Sequence, residues 1–291
     1  MRIYSVTGNS QRLDGGAMYG NCPRPVWAKW SPPDELNRIS LACRAMLVKE
    51  PSNGKRGRNV LLEAGIGAFF EPKLRDRFGV QEDRHVLLES LAARGVPAED
   101  VDVIVLSHLH FDHSGGLLTP WAEGKPLELA FPNASYVVSR RAWDRANAPH
   151  ARDRASFIPE LQGLLEQTGR LEIVEGDRSA TLGDAYSFSY SEGHTPGLML
   201  TRVEGWAGGP ITFLGDLVPG TPWVHLPITM GYDRYPELLI DEKRALLDRV
   251  VAEKGWVFYT HDPSAAASRV DKDAKGKMSA IEARATLDGA P

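Results

Sequence analysis

Residues 101–107, Asp102 apart, form a β-branched and apolar run, the pattern of a strand buried on both faces. The run ends in Ser107-His108-Leu109-His110-Phe111-Asp112-His113-Ser114-Gly115-Gly116. On extended backbone alternate residues share a face, so His108 and His110 point to the same side and can share one ion. Asp112 and His113 are neighbours and can point together only if the chain turns there, toward a second position. Gly115 and Gly116 permit that turn and a close backbone approach. Imidazole and carboxylate are ligands for Zn, Fe, Mn or Co.

Three more candidate ligands stand in matching settings. His194 follows a stretch in which Tyr186, Phe188 and Tyr190 alternate with serines, the period of a half-buried strand, and it precedes a Thr195-Pro196-Gly197 turn. Asp216 follows the apolar run 211–214 through Gly215, and His261 ends the run 256–260. All three sit where a strand ends, so sheet edges can gather them.

The rest of the chain alternates strand and helix signals. Residues 41–49 and 59–63 read as a hairpin around an exposed turn at 51–58. Residues 135–138 and 198–203 read as further strands. Residues 83–94, 140–147 and 158–168 read as helices, and 236–254 as a long amphipathic helix opening at a proline. Residues 7–37, rich in Gly, Pro and Asn, read as a long ordered or partner-facing loop. Residues 264–291, rich in Ala and Lys, are expected to form a fraying helical tail. The expected organisation is one domain over 1–291, with a loop-rich extension at 1–40. Its class is layered α/β (α+β), two sheets packed together with helices outside.

The segments HLHFDHSGG, GHTPG, GD and THDP, in that order from about Leu41 to His261, resemble the metallo-β-lactamase-fold hydrolase superfamily. LLEAGIG, at residues 61–67, resembles that superfamily's first strand turn. The resemblance implies an αββα sandwich with a binuclear centre at one edge of the sheets. It implies that His108, His110 and His194 hold one ion, that Asp112, His113 and His261 hold the other, and that Asp216 bridges. Two departures stand out. Glu63 replaces the usual Asp of the strand turn, and either orients a ligand imidazole or caps a turn. The quorum-quenching acyl-homoserine-lactone lactonases resemble the SHLHFDH and GHTPG segments, but carry a Tyr shortly after the bridging Asp. Here that stretch is Leu217-Val218-Pro219-Gly220.

The chemistry implied is hydrolysis by a metal-bridging hydroxide at a small ester or lactone carbonyl, with two divalent ions, zinc foremost and Fe, Mn or Co as alternatives. Asp112 is placed to take and deliver the proton. His225 and Tyr232 lie on the loop leaving Asp216, where they could grip substrate, and residues 14–19 could add an apolar wall. His85 and His150 read as ordinary surface histidines. A phosphotriesterase or thioesterase could use the same site. A persulfide dioxygenase would use one iron instead. β-Lactamase, flavodiiron and nuclease readings lack the Cys ligand, the flavin domain and the basic exosite they require.

With 34 basic and 38 acidic side chains, the chain carries a formal charge of −4 and no basic stretch calling for nucleic acid. No window has the roughly 18 apolar residues of a membrane span. Its two cysteines make neither a disulfide framework nor a Cys-rich metal site. The opening MRIYSVTGNSQRLDGG has no apolar leader core, so the expected location is the cytoplasm. The expected partner is a small-molecule substrate, and a homodimer is compatible with the chain.

Overall fold

The computed structural model describes residues 1–52, 54 and 56–290. Its strands run in chain order as β1 (Arg2–Val6), β2 (Gln11–Asp14), β3 (Arg38–Leu41), β4 (Ala45–Lys49), β5 (Asn59–Leu62), β6 (Val103–Val105), β7 (Ser135–Ser139), β8 (Leu171–Val174), β9 (Tyr186–Ser191), β10 (Leu198–Val203), β11 (Ile211–Phe213), β12 (Trp256–Phe258), β13 (Ala267–Lys272), β14 (Met278–Arg284) and β15 (Asp288–Gly289). One mixed sheet has the order β15-β1-β4-β5-β6-β7-β8, and a second has β14-β13-β12-β11-β10-β9. β2 and β3 form a separate pair.

Strand alternation assigns each residue to a layer. In the first sheet Met46, Val48, Val60, Leu62, Val103, Val105 and Val137 face Phe188, Met199, Ile211, Phe213, Trp256 and Phe258 of the second. Their neighbours Leu47, Leu61, Ile104, Tyr136 and Val138 face the other way, onto Leu87, Leu91, Trp143, Leu161 and Leu165 of the helices Val86–Ala92, Arg140–Asn147 and Leu161–Gln167. On the far side Leu198, Leu200 and Val257 pack on Leu239, Leu246, Leu247 and Val250 of helix Pro236–Ala252. The result is the expected αββα sandwich. Each of these fully buried aliphatic or aromatic side chains contributes roughly 1.5–3 kcal/mol on leaving water.

The β4–β5 hairpin pairs Lys49 with Asn59 and Met46 with Leu62. Part of its expected turn, Asn53 and Lys55, lies outside the described residues. The expected helical tail is instead strand: β13 pairs with β12 and β14, and β15 with β1. Ala266 and Ala267 are fully buried between the sheets, where pairing along the β12 edge outweighs the helix preference of an alanine run. The first 40 residues are also more than an extension. β1 lies inside the first sheet between β15 and β4, and a helical turn, Gly15–Tyr19, follows β2. There Tyr19 stacks on Trp27 and Trp223, with ring centroids 5.4 and 4.5 Å apart.

One buried lysine ties this region together. Lys243 of helix Pro236–Ala252 is 0% exposed and donates from Nζ to the carbonyls of Trp223 (3.0 Å), His225 (3.3 Å) and Ile228 (2.7 Å). Lys243→Met fits the volume but leaves three buried carbonyls without that donor. It is expected to cost about 2 kcal/mol or more, read as a lower denaturant midpoint at unchanged m-value.

Candidate metal centre

Every candidate ligand follows the C-terminal end of a strand. β5 and β6 run parallel, as do β11 and β12, so the loops leaving them open on one edge of the sandwich. Beyond β6 the chain continues through His108 to His110, which precedes the helical turn Phe111–Ser114. That turn swings Asp112 and His113 inward, as their adjacency requires. Glycine is needed for the fit: a Cβ on Gly116 would sit 2.0 Å from the Ala64 carbonyl oxygen. Gly215, at φ 49°, lets the chain turn tightly after β11 and places Asp216 over the same edge.

The donor atoms converge in two groups. His108 Nε2 lies 3.0 Å from His110 Nδ1, which lies 3.3 Å from His194 Nε2. His113 Nε2 and His261 Nε2 are 3.1 Å apart, and Asp112 completes the second group. Asp216 faces both groups. Its Oδ1 is 3.2 Å from His113 Nε2 and from His261 Nε2, and its Oδ2 is 3.3 Å from His194 Nε2. The five imidazoles and Asp216 are all buried.

The atoms behind the rings decide which nitrogens face inward. His194 Nδ1 donates to Asp233 Oδ1 (2.8 Å), and His261 Nδ1 donates to the Ala42 carbonyl (2.7 Å). His108 Nδ1 is 2.9 Å from Ser107 Oγ. Glu63 Oε2 is 3.1 Å from His113 Nδ1, while its Oε1 accepts the Ser107 N–H at 2.7 Å. Glu63 therefore orients an imidazole and anchors the metal loop. It holds this place at φ 69°, unusual for a non-glycine residue. With their outward nitrogens committed as donors, His194 and His261 turn only their inward nitrogens to the centre. Lone pairs of neighbouring rings at 3.0–3.3 Å repel unless a cation lies between them.

The electrostatics divide by nearness to carboxylates rather than by donor group: burial pushes His194 down, but Asp216 and Asp233 outweigh it and raise it above the ordinary histidine value. Burial, reinforced by the neighbouring imidazoles, holds His108 and His110 well below the ordinary histidine pKa. Burial also pushes His113 and His261 down, but nearby carboxylates, Asp216 foremost, outweigh it and raise both well above that value. Asp216 would be raised by burial, yet His113, His261 and His194 pull it well below the ordinary carboxylate range. A carboxylate kept ionised among inward-facing imidazoles is a donor set that fits divalent cations.

The centre floors a cleft of about 390 Å³. Leu13, Met18, Leu41, Phe78 and Phe111 give it an apolar side, and Arg152, Asp153 and Ser156 a polar one. Tyr232 lines it from the loop after Asp216. His225 does not. Its Nδ1 bonds the Met278 carbonyl at 3.1 Å, and its ring stands 5.6 Å from that of Trp30, over a separate surface cavity. The Lys243 clamp on the carbonyls of Trp223, His225 and Ile228 fixes the backbone that carries it there. His85 is also corrected: it is 5% exposed, accepts the Leu88 N–H at Nδ1, and donates from Nε2 to the Gly116 carbonyl at 3.0 Å. It braces the metal loop from behind. His150 is exposed, as expected. Sequence reading missed Asp233, whose only signal was its closeness to Tyr232.

This fold and this cluster of histidines and aspartates define a family. The chain belongs to the metallo-beta-lactamase superfamily, whose family model matches residues 41–261. It is a metal-dependent hydrolase. An N-acyl homoserine lactonase from a Bacillus species is 27% identical over 197 residues, 67% of this chain and 68% of its own length. N-acyl homoserine lactonase AiiA of Bacillus thuringiensis subsp. kurstaki is 27% identical over 198 residues, with the same coverage. Among solved structures, a probable metal-dependent hydrolase from Staphylococcus aureus superposes with a TM-score of 0.82, 26% identity and 97% of both chains covered. AidC, a dizinc quorum-quenching lactonase, has the same fold at a TM-score of 0.72, with 22% identity over 96% of this chain and 93% of its own. Among the described residues no helix is long and apolar enough to cross a membrane.

Proposed function

We propose that this chain hydrolyses a small ester or lactone at a two-metal centre. The observation that carries the reading is Asp216 facing two converging donor groups on the floor of one half-apolar cleft. His108, His110 and His194 would hold one ion, Asp112, His113 and His261 the other, with Asp216 shared. Divalent ions there would supply hydroxide at neutral pH and draw electron density from a carbonyl oxygen, and zinc is the first choice for the donor set. Asp112 has one oxygen toward His261 (3.6 Å) and the other toward His113 (3.9 Å). It is only partly buried, and opens on the cleft where a proton must be taken up and returned. Tyr232 would hold the carbonyl oxygen. Burial, with Asp112 and Asp14, raises its phenol above the ordinary tyrosine value, so it stays a donor at neutral pH.

The lactonase relatives support an acyl substrate, and the apolar side of the cleft suits a hydrocarbon group. The test is a panel of lactones, aryl esters, thioesters, phosphotriesters and persulfides with the metal-loaded protein, read beside metal content. Two ions per chain with lactone or aryl ester turnover is the expected result. One iron per chain with persulfide oxidation would replace this reading.

The ions should also hold the fold together, because their ligands come from separate strand ends. Ligands that bind only the native state stabilise it by mass action, about 4 kcal/mol at a thousandfold excess over Kd. Chelation is therefore expected to lower Tm by roughly 5–15 °C. An unchanged melt in protein shown to be metal-free would refute the structural role of the ions.

A further inference from the structure

On the polar side of the cleft, Arg152 stands beside a carboxylate that two other arginines already share. Asp153 is 8% exposed, and its Oδ2 serves two arginines: Arg145 through Nε (2.9 Å) and Nη2 (2.7 Å), and Arg234 through Nη1 (3.6 Å). One carboxylate thus answers two guanidinium groups. Arg152, next in sequence to Asp153 and lining the same cleft, has no carboxylate partner among the described residues. Its Nη2 is tied to the carbonyls of Gly231 (2.7 Å) and Asp233 (3.4 Å), which fixes the head group beside the loop that carries Tyr232. Among the described residues, the Nε and Nη1 of that guanidinium have no protein acceptor.

The three arginines are separated in sequence, at 145, 152 and 234, and only the fold gathers them. A guanidinium held by carbonyls, with donors to spare where the cleft meets a neighbouring cavity, is pre-organised for a planar oxyanion.

We infer that Arg152 is a specificity-determining residue, and that the substrate is an ester or lactone bearing a carboxylate apart from the bond that is cleaved. The inference rests on the hydrolytic reading above for the reaction, but not for the binding. The scissile carbonyl lies over the metal floor, an apolar group on one side of it lies toward Phe78 and Phe111, and the carboxylate on the other side reaches the free donors of Arg152.

Two matched pairs of compounds test it. The first is 4-nitrophenyl butyrate against the mono-4-nitrophenyl ester of glutarate, which differ mainly by a terminal carboxylate. The kcat/KM ratio of charged to neutral ester should fall about tenfold or more in Arg152→Gln, mainly through KM, and fall less in Arg152→Lys, which keeps the charge but not the fork. Raising ionic strength should lower the wild-type ratio toward that of the Gln variant. The second pair is glutarate against butyrate, measured by calorimetry on the metal-loaded protein. Each offers one carboxylate to the metals, and glutarate a second to Arg152, so wild type should bind glutarate about tenfold more tightly and Arg152→Gln should lose that gap. A ratio and a gap unchanged in Arg152→Gln would overturn the inference. Equal losses for the charged and the neutral ester, which leave that ratio unchanged, would mean that Arg152 only braces the loop. If no ester is turned over while the glutarate gap is present and Arg152-dependent, the hydrolytic reading falls and the carboxylate site stands.

Discussion

Asp216→Ala should leave the protein with no more than one firmly held ion per chain and turnover at background. This carboxylate lies within 3.3 Å of imidazoles from both donor sets, His194 on one side and His113 and His261 on the other. Removing it takes away the negative charge that lets the centre accumulate cations. It also leaves a buried cluster of imidazoles facing one another, and breaking a buried charged pair in this way costs about 3–5 kcal/mol. His110→Ala should act on one set only, because His110 Nδ1 lies between His108 Nε2 and His194 Nε2. That variant should retain an ion at the Asp112, His113 and His261 end, while turnover is lost with the pair. Metal analysis after gel filtration, beside activity, distinguishes the two. Full metal content in both variants would contradict the ligand assignment.

The clustered donors were legible because their signal is local. His108 and His110 alternate on one strand end, Asp112 and His113 share a turn, and two glycines mark the bend. The residues that hold the rings in place were not legible. Asp233 reaches His194 across 39 positions, and the Ala42 carbonyl reaches His261 across 219. No spacing rule connects such pairs, since the fold alone makes them neighbours. Glu63 lay between, its position marked by the strand turn but its role decided only by Ser107 and His113. Errors arose where composition stood in for pairing. An Ala- and Lys-rich stretch read as helix became β13 and β14, because Ala267 and Val270 are buried by a sheet edge that composition does not reveal. His85 read as a surface residue for the same reason: only the fold shows that Gly116 passes beside it.

The loop after Asp216 shows how two candidates so close in sequence separate in space. His225 and Tyr232 both appeared able to reach the metal face, but the clamp of Lys243 on the Trp223, His225 and Ile228 carbonyls sets the direction of the first half. Its imidazole is turned to Trp30 and Met278. The second half is held differently. Gly231 N–H donates to the Ala17 carbonyl (2.8 Å), and Met230 N–H to Asp233 Oδ2 (2.6 Å). These bonds present Tyr232 to the cleft, 45% exposed. Tyr232→Phe keeps the ring and removes only the donor. It should lower kcat by roughly ten- to a thousandfold with metal content intact, the range for losing one hydrogen bond to a developing oxyanion. His225→Ala should stay within about twofold of wild type, because no contact of this imidazole reaches the cleft. The reverse pattern, a slow His225 variant and a fast Tyr232 variant, would mean that the loop rearranges when substrate enters. Wild-type rates in both would move the carbonyl donor off this loop, to the segment at 152–156 on the polar wall.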